Sequence, residues 1–146
     1  MSSKDPIYDS QSFWEYIDSL VESNIIPEVQ EIGDGIGQAI TSGDFPMLVK
    51  IADDDDYLKL ESIVQYKGAS VEKLLSIANN MNCYSMSGYI FFCIEEEYAI
   101  GMKASLPVSM GVTLNTVTLF IRSFFDDVAI FAENIDRAFT SPRRSD

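Results

Sequence analysis

The chain has 146 residues, of which 47% are apolar, and a net charge of −13 at neutral pH. That length suits one domain with a real hydrophobic core, and the apolar share argues against intrinsic disorder. Phosphate backbones and anionic lipid surfaces repel a chain this acidic, so we expect no nucleic-acid partner and no membrane partner. The acidity favours either simple solubility or a basic or amphipathic protein partner.

The ends of the chain predict tails around a single domain. The start, MSSKDPIYDS, lacks the basic and then apolar stretches of a secretory signal, and no apolar run approaches the roughly 20 residues of a bilayer span. We therefore expect a cytoplasmic protein. Residues 1–9 are predicted as a flexible N-terminal tail, 10–139 as the domain and 140–146 as a flexible C-terminal tail.

The first predicted element is a helix from Ser10 to Asn24. Asp9 or Ser10 can cap its start, and Pro27 prevents simple continuation. Its apolar residues recur at helical spacing and form one stripe. They are Phe13, Trp14, Ile17, Leu20 and Val21.

Between residues 31 and 67 the apolar period changes to two, which predicts three strands. EIGDGIGQAIT reads as a glycine turn into a short strand, FPMLVKIA as a second strand and YLKLESIVQYK as a third. In the third, two sets of side chains alternate and should lie on opposite faces of the sheet. One set is Leu58, Leu60, Ser62 and Val64, and the other is Tyr57, Lys59, Glu61 and Ile63.

Four consecutive aspartates, Asp53 to Asp56, join the second and third of these strands. Calcium loops place acidic ligands at alternate positions and need a glycine, whereas four adjacent carboxylates project in different directions. Aspartate also hydrogen-bonds its own backbone in turns. The run predicts a hairpin turn, with weak divalent-cation binding as the alternative.

A second helix is predicted from Ser70 to Asn82, with Ser70 as its N-cap. Its buried stripe is Val71, Leu74, Leu75, Ala78 and Met81. Two more strands follow, YSMSGYIFFCI and YAIGMKASLPV, and the acidic run Glu95–Glu97 between them predicts a solvated hairpin tip.

The third helix has the strongest pattern in the chain. After a Thr113 N-cap, its apolar residues step by three and four over three heptads, which is typical of a helix lying across a sheet and also of a self-pairing helix. The stripe is Leu114, Val117, Ile121, Phe124, Val128, Phe131 and Ile135, widened by Phe120 and Phe125. Leu119 and Ile130 fall on the opposite, polar side of the helix.

The sequence shows no catalytic arrangement. Without histidine there can be no Ser-His-Asp or Cys-His site, and the GDGIG stretch lacks the spacing of a dinucleotide loop. Cys83 and Cys93 lack metal-site spacing and are expected to be reduced core thiols. We expect a non-enzymatic protein with no catalytic, cofactor or metal site.

The elements predict an α+β domain of order α-β-β-β-α-β-β-α, with an antiparallel sheet of about five strands and helices on one face. GDFPMLVKIADDDDYLKLESIVQYKGASVEKLLSIANNMN, followed by LPVSMGVTLNTVTLFIRSFFDDVAIFAENI, resembles the YbjN family, which is described as bacterial sensory transduction regulators. The likeness covers roughly residues 31–136. It implies the fold of class I type III secretion chaperones, a regulatory or binding role and no catalytic residues. The stretch CYSMSGYIFF is more apolar than the family pattern.

Two functions are compatible with these patterns. The first is a protein-interaction module of the YbjN type, and the alternative is a class I type III secretion chaperone that binds an effector segment. Either function implies a protein partner of unknown identity, and a homodimer stays open. We predict two interaction surfaces: the outer line of the third helix, and the free face or edge of the sheet. Their residues are Leu119 and Ile130 on the helix, and Tyr57, Tyr66, Tyr89, Phe91 and Tyr98 on the sheet.

Overall fold

A computed structural model describes residues 6–41, 46–66, 69–84 and 88–140, with the side chains of residues 83, 84 and 140 left out. These residues form three α-helices and six β-strands. The helices are α1 (Phe13–Glu22), α2 (Val71–Tyr84) and α3 (Leu114–Thr140). The strands are β1 (Val29–Gly33), β2 (Ile36–Ile40), β3 (Leu48–Asp53), β4 (Tyr57–Gln65), β5 (Ile90–Ile94) and β6 (Ala99–Pro107).

The six strands form one sheet in the order β1-β2-β3-β4-β6-β5, and every neighbouring pair is antiparallel. The first four strands follow one another as hairpins. The chain then passes through α2 and returns as the β5–β6 hairpin, so that β6 lies beside β4. This arrangement leaves β1 and β5 as the two edge strands.

All three helices pack on the same face of the sheet. Phe131 of α3 packs against Phe91 of β5, with ring centres 5.4 Å apart, while Trp14 of α1 lies over Gly37 of β2. Six residues of the predicted α3 stripe are completely buried: Val117, Ile121, Phe124, Val128, Phe131 and Ile135. The stripe therefore lies across the sheet within one chain and is not available for self-pairing.

The predicted caps at Ser70 and Thr113 are confirmed by their hydrogen bonds, whereas α1 begins at Phe13, three residues after the predicted start, and Asp9 caps the 3-10 turn before it. The Asp9 carboxylate accepts from the Gln11 amide, and a 3-10 turn at Ser10–Ser12 leads into α1. The Ser70 hydroxyl accepts from the Lys73 amide at 3.1 Å. The Thr113 hydroxyl accepts from the Thr116 amide at 3.2 Å. These side chains satisfy amides that a helix start leaves without partners.

The aspartate run is the predicted hairpin turn, between β3 and β4. The Asp53 carboxylate accepts from the Asp55 amide at 2.8 Å, and the Asp54 carboxylate accepts from the Tyr57 amide at 2.8 Å. Asp55 has a φ of 77°, in the left-handed region that aspartate tolerates better than most residues. The Glu95–Glu97 run likewise forms the predicted tip, as a 3-10 turn between β5 and β6.

The expected sheet of about five strands has a sixth. The residues before the glycine turn form β1, which pairs with β2 from Val29↔Ala39 to Gly33↔Ile36. Its exposed polar residues and an irregularity between Glu31 and Gly33 obscure the alternation on which the prediction depended.

The predicted N-terminal tail of residues 1–9 is wrong for residues 6–9. Tyr8 is buried, its amide donates to the Val112 carbonyl at 2.7 Å, and its hydroxyl donates to the Asp53 carboxylate. The Pro6 carbonyl accepts from the Leu114 amide at 2.7 Å. These partners are far away in sequence, so no local pattern could indicate the contact. Residues 1–5 and the predicted tail after Thr140 lie outside the described residues.

The packing of α1 on the sheet predicts different costs for two glycine substitutions. A Cβ at Gly37 would lie 2.6 Å from Val29 Cγ1 and 2.9 Å from Trp14 Cη2, whereas a Cβ at Gly33 has no neighbour closer than 3.6 Å. We expect Gly37→Ala to lower the free energy of unfolding by about 1–3 kcal/mol through overpacking. Gly33→Ala should leave it nearly unchanged. Urea unfolding followed by far-ultraviolet circular dichroism measures both; equal effects would contradict the close approach of Trp14.

Candidate functional site

The face of the sheet that points away from the helices is the candidate site, and we call it the open face. Side chains alternate between faces along each strand, and the strand registers align those of the open face across the sheet. No helix of the described chain covers it. Its side chains include Gln38, Ile40, Leu48, Lys50, Ala52, Tyr57, Lys59, Glu61, Ile63, Ile90, Phe92, Lys103 and Ser105.

Large apolar side chains are exposed at both ends of the open face. Ile40 is 64% exposed and lies opposite Leu48 on the neighbouring strand, while Ile90 is 57% exposed on β5. Tyr57 is also exposed, at the start of β4. Isolated exposed apolar residues are normal, but several on one uncovered sheet face are typical of a surface that contacts another molecule.

A charged row crosses the middle of the open face. Register pairing places Gln38 beside Lys50, Lys50 beside Glu61, Glu61 beside Lys103 and Lys103 beside Ile90, on five successive strands. A shallow groove of about 440 Å³ runs over this row. The row combines two cations, one carboxylate, an amide and an aliphatic side chain, and its polar groups can hydrogen-bond and ion-pair a ligand.

Three lysines of the open face differ in their surroundings. The Lys59 ammonium lies 2.9 Å from the Asp54 carboxylate, and this hydrogen bond raises the pKa of Lys59 and lowers the pKa of Asp54. Lys103 lies over the ring of Phe92, 5.2 Å from its centre. Within the described part of the chain, neither Lys50 nor Lys103 has a carboxylate within 4 Å. Two cations thus remain without an ion pair on a strongly acidic chain.

The edge of β5 is partly closed to an added strand. The Asn82 side chain donates to the Phe91 carbonyl at 2.8 Å and accepts from the Phe91 amide at 2.9 Å. It uses the backbone groups that an added strand would need, which is one way in which proteins protect sheet edges. The open face is therefore better placed than this edge to receive a partner.

Four predicted interface residues are exposed, on three separate surfaces. Leu119 and Ile130 are exposed on α3, at 60% and 48%. Tyr57 is exposed on the open face at the β3–β4 end, whereas Tyr98 is exposed in the turn between β5 and β6. The structure does not bring the helix pair and the tyrosines together.

The other two tyrosines pack against α3 and are half-buried. The Tyr66 ring stacks on Phe139, with centres 4.3 Å apart, and burial raises the pKa of Tyr66 to about 12. The Tyr89 hydroxyl donates to the Asp127 carboxylate at 2.5 Å. Burial and this hydrogen bond raise the Tyr89 pKa well above its ordinary value. Both tyrosines hold the sheet to α3.

The prediction that Phe91 is presented on a free face or edge is wrong. Phe91 is only 3% exposed, because the β5 register turns it towards the helices, where it meets Phe131. Its neighbours Ile90 and Phe92 point to the open face instead. An apolar run such as YIFFCI gives no indication of which alternate residues face the core.

Sequence reasoning also missed the charged row. Part of the row could be predicted from β4, where Tyr57, Lys59, Glu61 and Ile63 alternate with mostly apolar residues. This alternation indicates that Lys59 and Glu61 lie on the face of the sheet away from the core. The contribution of Lys50 and Lys103 depends on strand order and register, which a single sequence does not show.

The described side chains include one free thiol and no cluster of metal ligands. Among the described residues, no group of three or more cysteine or carboxylate side chains is placed to hold a metal ion. Cys93 is half-buried and forms no disulfide, and burial raises the pKa of its thiol. The Cys83 side chain lies outside the described part.

No helix of the described chain is long and apolar enough to cross a membrane.

Comparison with known proteins gives a likeness in fold. No protein-family model matches the chain, and no curated protein matches it in sequence. One chain of a solved structure, described as the HopA1–SchA chaperone–effector complex, matches with a TM-score of 0.55 and 16% identity. The match covers 88% of this chain and 99% of that chain. The predicted α+β fold of chaperone type is confirmed, with six strands instead of about five.

The exposure of the open face can be tested by replacing an isoleucine with serine on each face of the sheet and comparing the two costs in stability. Ile40 and Ile51 lie on neighbouring strands, but Ile51 is completely buried under the helices. We expect Ile51→Ser to lower the free energy of unfolding by about 3–5 kcal/mol, because it leaves a cavity and buries a hydroxyl. Ile40→Ser should change it by less than about 0.5 kcal/mol. Chemical denaturation measures both, and similar costs would show that another surface covers Ile40 in solution.

Proposed function

We propose that this protein is a non-enzymatic protein-binding module that holds a segment of a partner protein against the open face of its sheet. The observation that carries the proposal is a wide sheet face with exposed Ile40, Leu48, Tyr57 and Ile90 and no covering helix in the described chain. Burying such side chains in a complex removes apolar surface from water. The groove over the charged row adds polar contacts that can fix the position of the segment.

A chaperone for an effector protein is the finer function that we rank first. It is the alternative predicted from the sequence, as a class I type III secretion chaperone, and the fold likeness to a chain of a chaperone–effector complex supports it. In this function the protein holds an extended effector segment and keeps its apolar side chains from aggregating. The protein partner is the effector itself.

A YbjN-type regulator is the second candidate. The resemblance over residues 31–136 supports it, since the charged turns, the α2 helix and the long phenylalanine-rich α3 occur there in the predicted order. In this function the open face binds another regulatory protein. Cytoplasmic location suits both candidates and stays a prediction.

Affinity capture with matched variants tests the proposed surface. Ile40→Glu with Ile90→Glu adds two charges to the open face, and Leu119→Glu with Ile130→Glu adds the same charges to the outer side of α3. We expect the native protein and the α3 variant to retain one stoichiometric partner from native cytosol, and the open-face variant to lose at least about 90% of it, because buried unpaired charge is costly.

Mass spectrometry identifies the captured partner, and circular dichroism verifies that both variants fold. A secreted effector would support the chaperone, whereas a kinase or transcriptional regulator would support the YbjN-type function. Retention by the open-face variant together with loss by the α3 variant would refute the proposed surface.

Light scattering of the α3 variant tests the homodimer. If the outer line of α3 pairs two copies of the chain, the molecular mass of the variant should be that of a monomer.

A further inference from the structure

We propose that the open face selects an acidic partner segment, in which carboxylates alternate with aliphatic side chains, and that Lys50 and Lys103 are the selecting residues. This inference rests on the proposed function, since it specifies what that face binds. Charge is unevenly distributed on the protein. The chain carries 23 acidic and 10 basic residues, yet three of the basic residues lie on this one face.

The two selecting lysines are spaced for a single segment. Lys50 on β3 and Lys103 on β6 both pair in register with Glu61 on the strand between them. Adjacent strands lie about 4.8 Å apart, so the two lysine backbones are roughly 10 Å apart. An extended segment rises about 3.3 Å per residue and can place a carboxylate at each lysine within three or four residues.

Lys103 is held near its binding position. The Phe92 ring covers Gly101, where a Cβ would lie only 2.3 Å from the ring, and Lys103 lies over the same ring. This stacking orients the lysine while leaving it exposed, so less side-chain entropy is lost when an anion binds. Glu61 disfavours an anion at the centre of the row, which restricts carboxylates to the lysine on either side of it.

The exposed apolar residues define the rest of the ligand. The row next to the lysines contains Ile40 opposite Leu48, and Phe92 beside Gly101. Aliphatic side chains of the segment can pack there while its carboxylates meet the lysines. A uniformly charged acidic polymer would leave this apolar row in water.

Other occupants suit the face less well. A second copy of the chain, packed face to face about a two-fold axis through Glu61, would place lysine against lysine and Glu61 against Glu61 in the charged row, and like charges would oppose each other. Nucleic acid binding depends on neutralising many phosphates, whereas the described part of this face offers two lysines without an ion pair. An acidic segment is attracted locally, because at physiological salt the screening length is about 8 Å and distant carboxylates of the protein are largely screened.

Peptide binding with charge-matched variants tests the selection. The probes are two dye-labelled twelve-residue peptides with the same alternating valines, one with glutamate and one with glutamine between them. Fluorescence anisotropy in 150 mM sodium chloride measures their affinities for the full chain. We expect the glutamate peptide to bind the native protein at least about fivefold more tightly than the glutamine peptide, because two exposed ion pairs are added.

Two double variants separate the local charges from the net charge. Lys50→Glu with Lys103→Glu should weaken binding of the glutamate peptide about tenfold or more, because two attractions become repulsions. Arg122→Glu with Arg137→Glu changes the net charge equally on exposed positions of α3 and should have little effect. Lys50→Gln with Lys103→Gln, which places no new carboxylate beside Glu61, should weaken binding about threefold to fivefold.

Three results would overturn the inference. Equal binding of both peptides, with no loss in the lysine variants, would leave the face as an apolar docking surface without charge selection, so the proposed function would stand. An equal loss in the arginine variant would make the effect one of net charge. If neither peptide binds the native protein, the selection of such segments fails, and the capture experiment decides independently whether the face binds a partner at all.

Discussion

The architecture depends on the packing of the α3 stripe against one face of the sheet. Val117, Ile121, Phe124, Val128, Phe131 and Ile135 are all completely buried there. A sheet needs an apolar layer on at least one face, and a 27-residue helix with a heptad stripe crosses much of it. Because α1 and α2 pack on the same side, the described residues form two layers, with no third layer over the other face. The open face is thus exposed because all three helices pack against the opposite face of the sheet.

The open face differs from a solvated sheet face because of its mixture of side chains. Antiparallel sheets commonly expose one face, and that face is then mostly polar. Here lysines, one glutamate and exposed aliphatic residues share it, as in interfaces where apolar contact contributes affinity and charge contributes specificity.

Most of the fold could be predicted from the sequence, because its signals are local. The caps at Ser70 and Thr113, the aspartate turn and the α3 stripe each depend on a few neighbouring residues. The missed parts depend on contacts between distant residues. Strand β1 is identified by its pairing with β2, and the inward turn of Phe91 by the β5–β6 register. The free face of the sheet is predicted as an interaction surface, but its charged row was missed for the same reason: Lys50 and Lys103 lie more than fifty residues apart and become neighbours of Glu61 through strand order alone.

The docking of the N-terminal segment limits the order in which the chain can complete its fold during synthesis. Residues 6–8 bond to the backbone at Val112–Leu114, where α3 begins, and Ile7 pairs with Thr113. On the ribosome these early residues emerge first, but their partners emerge only after all six strands have been made. The backbone hydrogen bonds of this segment therefore form only after the start of α3 has left the exit tunnel, although Asp53, the side-chain partner of Tyr8, emerges earlier. Until then the backbone of residues 6–8 lacks these partners and stays accessible to chaperones and to neighbouring chains.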